Sequence, residues 1–210
     1  MIERYLNIAR EVIDLSLKQG AEQVSVSLAN ATSFQLEVRN QNIEALKEAG
    51  SSGIHVTLAK NRKRSTLSSN DFRLETLEPL IRSTLEALPL MGEDPFYTLP
   101  DPKLQGKAEI DLQFRDPNFE KMASTEKINE LMLLEKEALS IDSRLQTEEI
   151  SFSDSISYMV HGDSNGFLEG CSKTLCSQGV SMFAEDGGEE TEGSSQSLNT
   201  GRKQSDGWYS

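Results

Sequence analysis

The chain has 210 residues and a formal net charge of −13 at pH 7. Phosphate backbones repel such an acidic chain, so we expect no direct binding to nucleic acid. Hydrophobic residues make up only 36% of the chain, which favours thin layers with one solvated sheet face over a sheet covered on both faces. The length suits one large domain or two small ones.

The N-terminal segment MIERYLNIAREVIDLSLK is charged throughout and lacks the apolar core of a signal peptide. No apolar run approaches the roughly 20 residues of a membrane span. Cys171 and Cys176 lie five positions apart on one predicted strand, so they point to opposite faces and suit neither a disulfide nor a zinc knuckle. These features predict a cytoplasmic protein without membrane contact.

The first part of the chain is predicted to form a helix followed by an antiparallel meander. Apolar residues at helical spacing indicate a helix over residues 3–19, which Gly20 ends. Alternating apolar residues then predict short strands at 24–28, 34–38, 43–46, 54–58 and 65–68. Residues 30–32 and 61–63 are short enough to be hairpin turns.

A second helix is predicted after the capping pair Asn70–Asp71. Pro79 fits this helix only if it begins near Thr76, because proline is tolerated in the first turn. Prolines at 89, 95, 100, 102 and 117 then predict a linker over residues 91–121 that runs along a surface.

A third helix is predicted at about 124–140, with Ser124 as its cap. A second meander follows, with strands at 149–153, 156–161, 167–183 and 193–199 and turns at 163–166 and 186–188. The predicted fold is therefore α+β, built from two units that each combine a helix with an antiparallel meander. Its domains are residues 1–90, a linker at 91–121, and residues 122–210.

The two predicted units share short phrases. EQVSVS at 22–27 parallels EEISFS at 148–153, both after a helix, and SFQLEV at 33–38 aligns loosely with SYMVHG at 157–162, each before an Asn-containing turn. A duplication explains this pattern. Chance explains it equally well, because alternating Ser/Val strands resemble one another.

The sequence contains no recognisable catalytic or metal-binding set. A hydrolytic zinc site needs about three protein ligands, but His55 and His161 lie on different predicted strands and are interpreted as ordinary strand residues. Ser124 and Lys127 match the Ser-x-x-Lys pattern of some serine nucleophiles without its partner motifs. A helix cap is the better interpretation of Ser124.

Three charged clusters are also interpreted as structural. The turn at 163–166 and the predicted hairpin tip near 186–188 lack the ligand spacing of a calcium loop. A basic cluster between the strands predicted at 54–58 and 65–68 is predicted to be a solvated hairpin turn. The acidic cluster at the hairpin tip comprises Glu185, Asp186, Glu189, Glu190 and Glu192, and the basic cluster comprises Lys60, Arg62, Lys63 and Arg64.

Longer phrases resemble one protein family. The segments VRNQNIEAL and GIHVTLAKNRKRSTLSSNDF, followed by GEDPFYTLPDP and DLQFRDPNFEK, resemble the amino-terminal and central segments of the TldD/PmbA family. That family is known as modulators of DNA gyrase and as metallopeptidase subunits. Its members are about twice as long, so the resemblance implies an amino-terminal half without the C-terminal family domain.

The resemblance implies that no peptidase site lies in these residues. Peptidase activity in the family depends on an HExxxH helix of the TldD-type member, beyond the part that this chain resembles, and the PmbA-type (TldE) partner lacks the motif. The phrases VRNQNIE, SNDF and SDGWYS favour the PmbA side. We therefore expect no cofactor in this chain, with zinc in a TldD-like partner subunit and an unfolded peptide as substrate.

Two functions from different classes follow as hypotheses. The first is a PmbA-like subunit that supports metal-dependent proteolysis of small or unfolded peptides and guides them along unpaired strand edges, which accept an extended peptide through the backbone. The alternative is a stand-alone interaction module of the gyrase-modulator type. A fragment without function is a third explanation.

Overall fold

The computed structural model describes residues 1–106, 108–186 and 189–200. Over these residues the chain forms an α+β fold, as predicted, with α-helices and one antiparallel sheet in the strand order β3-β2-β1-β4-β5-β6. The helices are α1 (Ile2–Lys18), α2 (Leu74–Ala87) and α3 (Ser124–Leu139), and the strands are β1 (Gln23–Arg39), β2 (Asn42–Lys60), β3 (Lys63–Ser69), β4 (Leu145–Asp163), β5 (Leu168–Asp186) and β6 (Glu189–Thr200).

The contacts divide the chain into two compact units. Unit 1 comprises Met1–Ala31, Ser51–Leu112 and Ser157–Ser172, and unit 2 comprises Thr32–Gly50, Gln113–Ile156 and Lys173–Ser210. Each of β1, β2, β4 and β5 therefore contributes residues to both units. The domain boundaries near 90 and 121 stay a prediction, because a unit defined by contacts need not be continuous in sequence.

Unit 1 buries the alternating apolar residues that the sequence predicts. Residues 24, 26 and 28 of β1 and residues 54, 56 and 58 of β2 are all buried, with Ala9 and Val12 of α1 and Leu77 and Ile81 of α2. Full burial of one such side chain contributes roughly 1.5–3 kcal/mol. The intervening Ser27 and His55 are exposed, so the sheet of unit 1 has one apolar and one polar face.

Unit 2 packs α3 against its own part of the sheet. Leu131 of α3 lies in a core with Leu36 and Val38 of β1, Ile150 of β4 and Cys176 of β5. Cys176 is buried and Cys171 is exposed, and neither forms a disulfide. The predicted alternation of Phe34, Leu36 and Val38 is confirmed, because all three are buried.

The strands are longer than predicted. The expected turn at 30–32 is wrong, because residues 30–32 continue β1 without interruption. The predicted strands at 43–46 and 54–58 are likewise parts of β2, and those at 149–153 and 156–161 are parts of β4. Cross-strand pairing outweighs the weak strand propensity of the polar and glycine residues that link these segments.

The hairpin turns lie where asparagine adopts a left-handed conformation. Asn40 and Gln41 connect β1 to β2 with φ of 52° and 59°, and Asn61 and Arg62 connect β2 to β3 with φ of 51° and 61°. Two successive positive φ values are typical of the type I′ turn, whose twist matches that of paired strands. The Asn-containing turn expected after residue 38 is thus confirmed, and the turn predicted at 61–63 comprises residues 61 and 62, because Lys63 already pairs with Lys60.

The start of α2 differs from the prediction. The helix begins at Leu74 rather than near Thr76, so Pro79 lies in the second turn instead of the first. Asp71 stabilises this start, since its carboxylate accepts hydrogen bonds from the Arg73 backbone N–H at 3.0 Å and from the Thr76 hydroxyl at 2.9 Å. The Asp71 pKa is lowered, chiefly by the hydrogen bond from the Arg73 side chain.

The segment after α2 runs back along the β2–β3 hairpin, as expected for a proline-spaced connection. The Asp94 N–H donates to the Arg62 carbonyl at 2.7 Å, and the Lys63 ammonium donates to the Pro89 carbonyl at 2.6 Å. Arg64 pairs with Asp94 at 3.0 Å. Arg62 therefore lies in the hairpin turn, as predicted, whereas Lys60, Lys63 and Arg64 belong to the flanking strands. The cluster also anchors the connection.

The position of Pro79 leads to a stability prediction. Replacing Pro79 with alanine restores the missing N–H, which can donate to the Glu75 carbonyl, and relieves the clash of the ring with that carbonyl. We expect the Pro79→Ala variant to gain about 1–2 kcal/mol, after the larger entropy of its unfolded chain is allowed for, and about 2–8 °C in Tm by circular dichroism. The Glu86→Ala variant, in the same helix, is the control, with Tm unchanged. An unchanged or lower Tm for Pro79→Ala would support a helix that begins at Thr76.

Candidate functional site

The two histidines lie apart on the polar face of unit 1. His55 of β2 shares a hydrogen bond with Ser68 at 2.8 Å between Nδ1 and Oγ, and His161 of β4 shares one with Ser27 at 3.0 Å. β1 lies between β2 and β4 in the sheet. Among the described residues no group of three or more His, Cys, Asp or Glu side chains could hold a metal ion. These histidines do not fit the zinc centre that the family resemblance implies for a peptidase.

The Ser-x-x-Lys pattern lies in the first turn of α3. Ser124 is the first residue of α3, and the residue before it, Ala123, is the N-cap, so the predicted capping role of Ser124 is wrong. The Ala123 N–H donates instead to the Glu126 carboxylate at 3.0 Å. The Lys127 ammonium lies 2.5 Å from a carboxylate oxygen of Asp154, so Lys127 is engaged in an ion pair of unit 2.

The turn at 163–166 is confirmed as a structural turn. The Asp163 carboxylate accepts hydrogen bonds from the Asn165 N–H at 2.8 Å and from the Gln105 side chain at 2.8 Å. The predicted turn at 186–188 includes residues 187 and 188, which lie outside the described residues. Beside it, the Glu185 side chain accepts a hydrogen bond from Gln146 at 2.9 Å.

The first part of β2 is an unpaired strand edge. β3 pairs with β2 only from Ile54 to Lys60. Within the described residues, no strand pairs with residues 42–53 on the side opposite β1. We call residues 42–50, which belong to unit 2, the open edge. Its backbone can pair with an added extended chain.

A buried carboxylate fixes the turn from which the open edge begins. Glu135 of α3 is 0% exposed, and its two oxygens accept hydrogen bonds from the Asn40 and Gln41 N–H groups, each at 2.7 Å. The Gln41 side chain donates to the same carboxylate at 2.8 Å and to the Met132 carbonyl at 2.9 Å. α3 therefore holds both inner residues of the turn.

The protonation of Glu135 follows from these contacts. Burial alone would raise the pKa of Glu135, but the nearby Thr147 hydroxyl and the hydrogen bonds from Gln41 and Asn40 outweigh burial and lower the pKa below that of an ordinary glutamate. Glu135 is therefore ionised at neutral pH. An ionised carboxylate accepts stronger hydrogen bonds than a neutral group, which stiffens the turn.

A second buried charge lies two helical turns earlier on the same face of α3. The Lys127 ammonium lies 4.7 Å from the ring centre of Phe34 and 5.7 Å from that of Phe152, besides its ion pair with Asp154. Burial raises the Asp154 pKa, although the Lys127 contact opposes that shift. The enclosure by aromatic rings indicates a structural role for Lys127 rather than a catalytic one.

An acidic depression lies on the polar face of unit 2 beside the open edge. It has a volume of about 350 Å³ and is lined by Glu37, Arg39, Glu44, Glu148, Glu149 and Ser181. Glu148 and Glu149 are both exposed between buried Thr147 and Ile150, as at a β-bulge, which places neighbouring side chains on one face. Four carboxylates and one guanidinium give the lining a formal charge of −3.

Comparison with known proteins identifies the family. A model of the PmbA/TldA metallopeptidase domain 1 matches residues 24–88, and a model of the central domain of the same metallopeptidases matches residues 117–210. The chain belongs to the PmbA/TldD family. Within the described residues, no helix is long and apolar enough to cross a membrane.

A curated relative agrees with the family assignment, and two solved structures share the fold. A metalloprotease PmbA homolog of Buchnera aphidicola is 27% identical over 188 residues, covering 86% of this chain and 40% of the relative. A candidate modulator of DNA gyrase from Bacteroides thetaiotaomicron has a TM-score of 0.75 at 23% identity, covering 92% of this chain and 44% of that one. TldE from Thermococcus kodakarensis has a TM-score of 0.76 at 14% identity, covering 93% and 43%.

The PmbA/TldD chain thus spans less than half the length of the relatives it matches. The open edge and the Glu135 contact were not identified from the sequence. The Asn-Gln-Asn run after β1 signals the turn. However, the pairing of a glutamate nearly 100 residues later with that turn has no local signal.

The Glu135 contact leads to a second stability prediction. Glu135→Ala leaves two turn N–H groups without their carboxylate partner, so we expect a loss of roughly 3 kcal/mol in the free energy of unfolding. Glu135→Gln keeps one acceptor and should lose about 1–2 kcal/mol. Urea denaturation measures both, with Glu137→Ala, exposed on the same helix, as the control. Equal stability of the Glu135→Ala and Glu137→Ala variants would rule out the anchoring role.

The lowered Glu135 pKa leads to a prediction about pH. A group whose pKa is lower in the folded than in the unfolded protein stabilises the fold. This contribution is fully present at pH values above the unfolded pKa, about 4.3 for glutamate, and is lost as the pH falls through the folded pKa. The difference in unfolding free energy between wild type and Glu135→Gln should therefore shrink as the pH falls from 7 to about 2. The opposite contribution of Asp154 is common to both proteins and cancels. A difference that grows on acidification would contradict the assignment.

Proposed function

We propose that this chain is the amino-terminal and central part of a PmbA (TldE)-like subunit. In this proposal it supports metal-dependent proteolysis of small or unfolded peptides together with a TldD-like partner, and the zinc belongs to that partner. The family membership supports the proposal, as does the metalloprotease name of the Buchnera relative. A catalytic role within residues 1–210 is not proposed.

The observation that carries the proposal is the open edge. A peptide without folded structure has unpaired backbone N–H and C=O groups, and a free strand edge pairs with them whatever the side chains are. The open edge is also held in place, because Glu135 fixes the turn from which it starts. A fixed edge loses less conformational entropy when a peptide binds than a mobile one does.

Co-expression with a TldD-like subunit from the same genome tests the proposal. We expect the two chains to elute together from a size-exclusion column and to cleave an unfolded polypeptide such as reduced, alkylated lactalbumin. Each chain alone should cleave it at least about tenfold more slowly, since a shared site needs both subunits. Replacing both histidines of the partner's HExxxH motif with alanine should abolish cleavage and preserve co-elution.

Two results would contradict the proposal. If the chains do not co-elute and this chain alone binds gyrase, the interaction-module hypothesis is correct instead. An HExxxH motif encoded after the codon for Ser210 would assign the chain to the TldD side. The reading frame beyond that codon is therefore determined first.

A further inference from the structure

The backbone geometry of the β1–β2 hairpin determines which groups face outward along the open edge. β1 ends at Arg39 and β2 begins at Asn42, so the two-residue turn makes Arg39 and Asn42 a hydrogen-bonded pair. Glu44, two residues after Asn42, then also bonds to β1. Ile43 and Ala45, on either side of Glu44, direct their N–H and C=O groups away from β1, where an added strand would lie.

The same geometry separates the side chains of the open edge into two faces. Glu37 lies opposite Glu44 across the hairpin, and both line the acidic depression, so Glu44 lies on the polar face. Val38, which is buried in the core of unit 2, lies opposite Ile43. Ile43 therefore lies on the core face at the margin of the apolar layer.

Both faces have features that a partner strand could satisfy. On the core face, Ile43 is 45% exposed at the margin of the core, and Leu46, two residues after Glu44, is 49% exposed. Among the described residues, Glu37, Glu44 and Glu48 form no ion pair. A long basic side chain can place its charge beside a carboxylate and its methylene groups on leucine.

We propose that the open edge binds an extended peptide that carries basic side chains at alternate positions, with apolar side chains between them. The basic side chains lie beside Glu44 and the acidic depression on the polar face, and the apolar ones extend the core layer beyond Ile43. This inference rests on the proposed peptide-handling function and specifies the peptide chemistry. The negative charge of the adjacent acidic depression favours the same peptide and disfavours an acidic one.

Binding of matched ten-residue peptides to the 210-residue chain tests the proposal. Fluorescein-labelled peptides alternate valine with lysine, threonine or glutamate, and anisotropy gives each Kd. We expect the lysine peptide to bind about tenfold more tightly than the glutamate peptide, with the threonine peptide between them, because cross-strand charge pairs contribute several tenths to about 1 kcal/mol each. The preference should weaken with added salt.

Variants separate the backbone contribution from the charge contribution. Ala45→Pro removes one outward N–H and leaves the bonds to β1 intact, so it should weaken binding of all three peptides by about tenfold. Glu37→Lys/Glu44→Lys should reverse the preference, so that the glutamate peptide binds best. Glu11→Lys/Glu137→Lys makes the same change in net charge on exposed helix positions and should keep the original preference.

The outcomes distinguish this inference from the proposed function. Equal binding of all three peptides, or loss of the preference in Glu11→Lys/Glu137→Lys, would overturn the charge selectivity. Lysine-peptide binding that survives both Ala45→Pro and alternate backbone N-methylation of the peptide would overturn strand addition. Neither result affects co-elution with a TldD-like subunit, which tests the proposed function independently.

Discussion

The hydrogen bonds between Glu135 and the β1–β2 turn are the constraint on which the architecture of unit 2 depends. In a type I′ turn the N–H groups of both inner residues point out of the hairpin. One ionised carboxylate satisfies both, at 2.7 Å each. Because the turn is fixed to α3, the hairpin cannot shift by one residue without losing these bonds. A one-residue shift would also move every side chain of β2 to the opposite face.

The two buried charges of α3 stabilise the same packing by different means. Lys127, Leu131 and Glu135 are all buried on one face of the helix. Leu131 contributes apolar packing, Glu135 binds backbone N–H groups, and Lys127 pairs with Asp154 among aromatic rings. The attraction within a buried ion pair offsets little more than the free-energy cost of removing its two charges from water. Its value here lies in selecting one orientation of α3, because any rotation of the helix would leave three charges without partners.

Sequence patterns predicted which residues are buried better than where strands begin and end. The faces of residues 24–28, 34–38 and 54–58 were predicted from alternation alone, because a buried face demands apolar side chains at every second position. The strand ends were mispredicted at 30–32, where the polar run resembles a turn but pairs with neighbouring strands. The start of α2 was mispredicted from Pro79, because tertiary packing outweighs the local preference of proline. Burial of Leu77 and Ile81 holds α2 in a helix on both sides of the proline. The contacts of Glu135 with residues 40 and 41 depend on tertiary structure alone.

Two explanations account for the charges of the open edge, and they require different charges on the neighbouring strands. Charged residues on an exposed strand edge prevent edge-to-edge aggregation, and Glu44, Lys47 and Glu48 suit that purpose. For that purpose the sign of each charge is unimportant, and so are the neighbouring strands. Selection of a basic peptide instead requires one sign along one face, with support from adjacent strands. Glu44 lies on the polar face, and the neighbouring Glu37, Glu148 and Glu149, which line the same depression, have the same sign. Protection against aggregation does not require carboxylates of one sign on the adjacent strands. Selection of a basic peptide does require them and therefore accounts better for this arrangement.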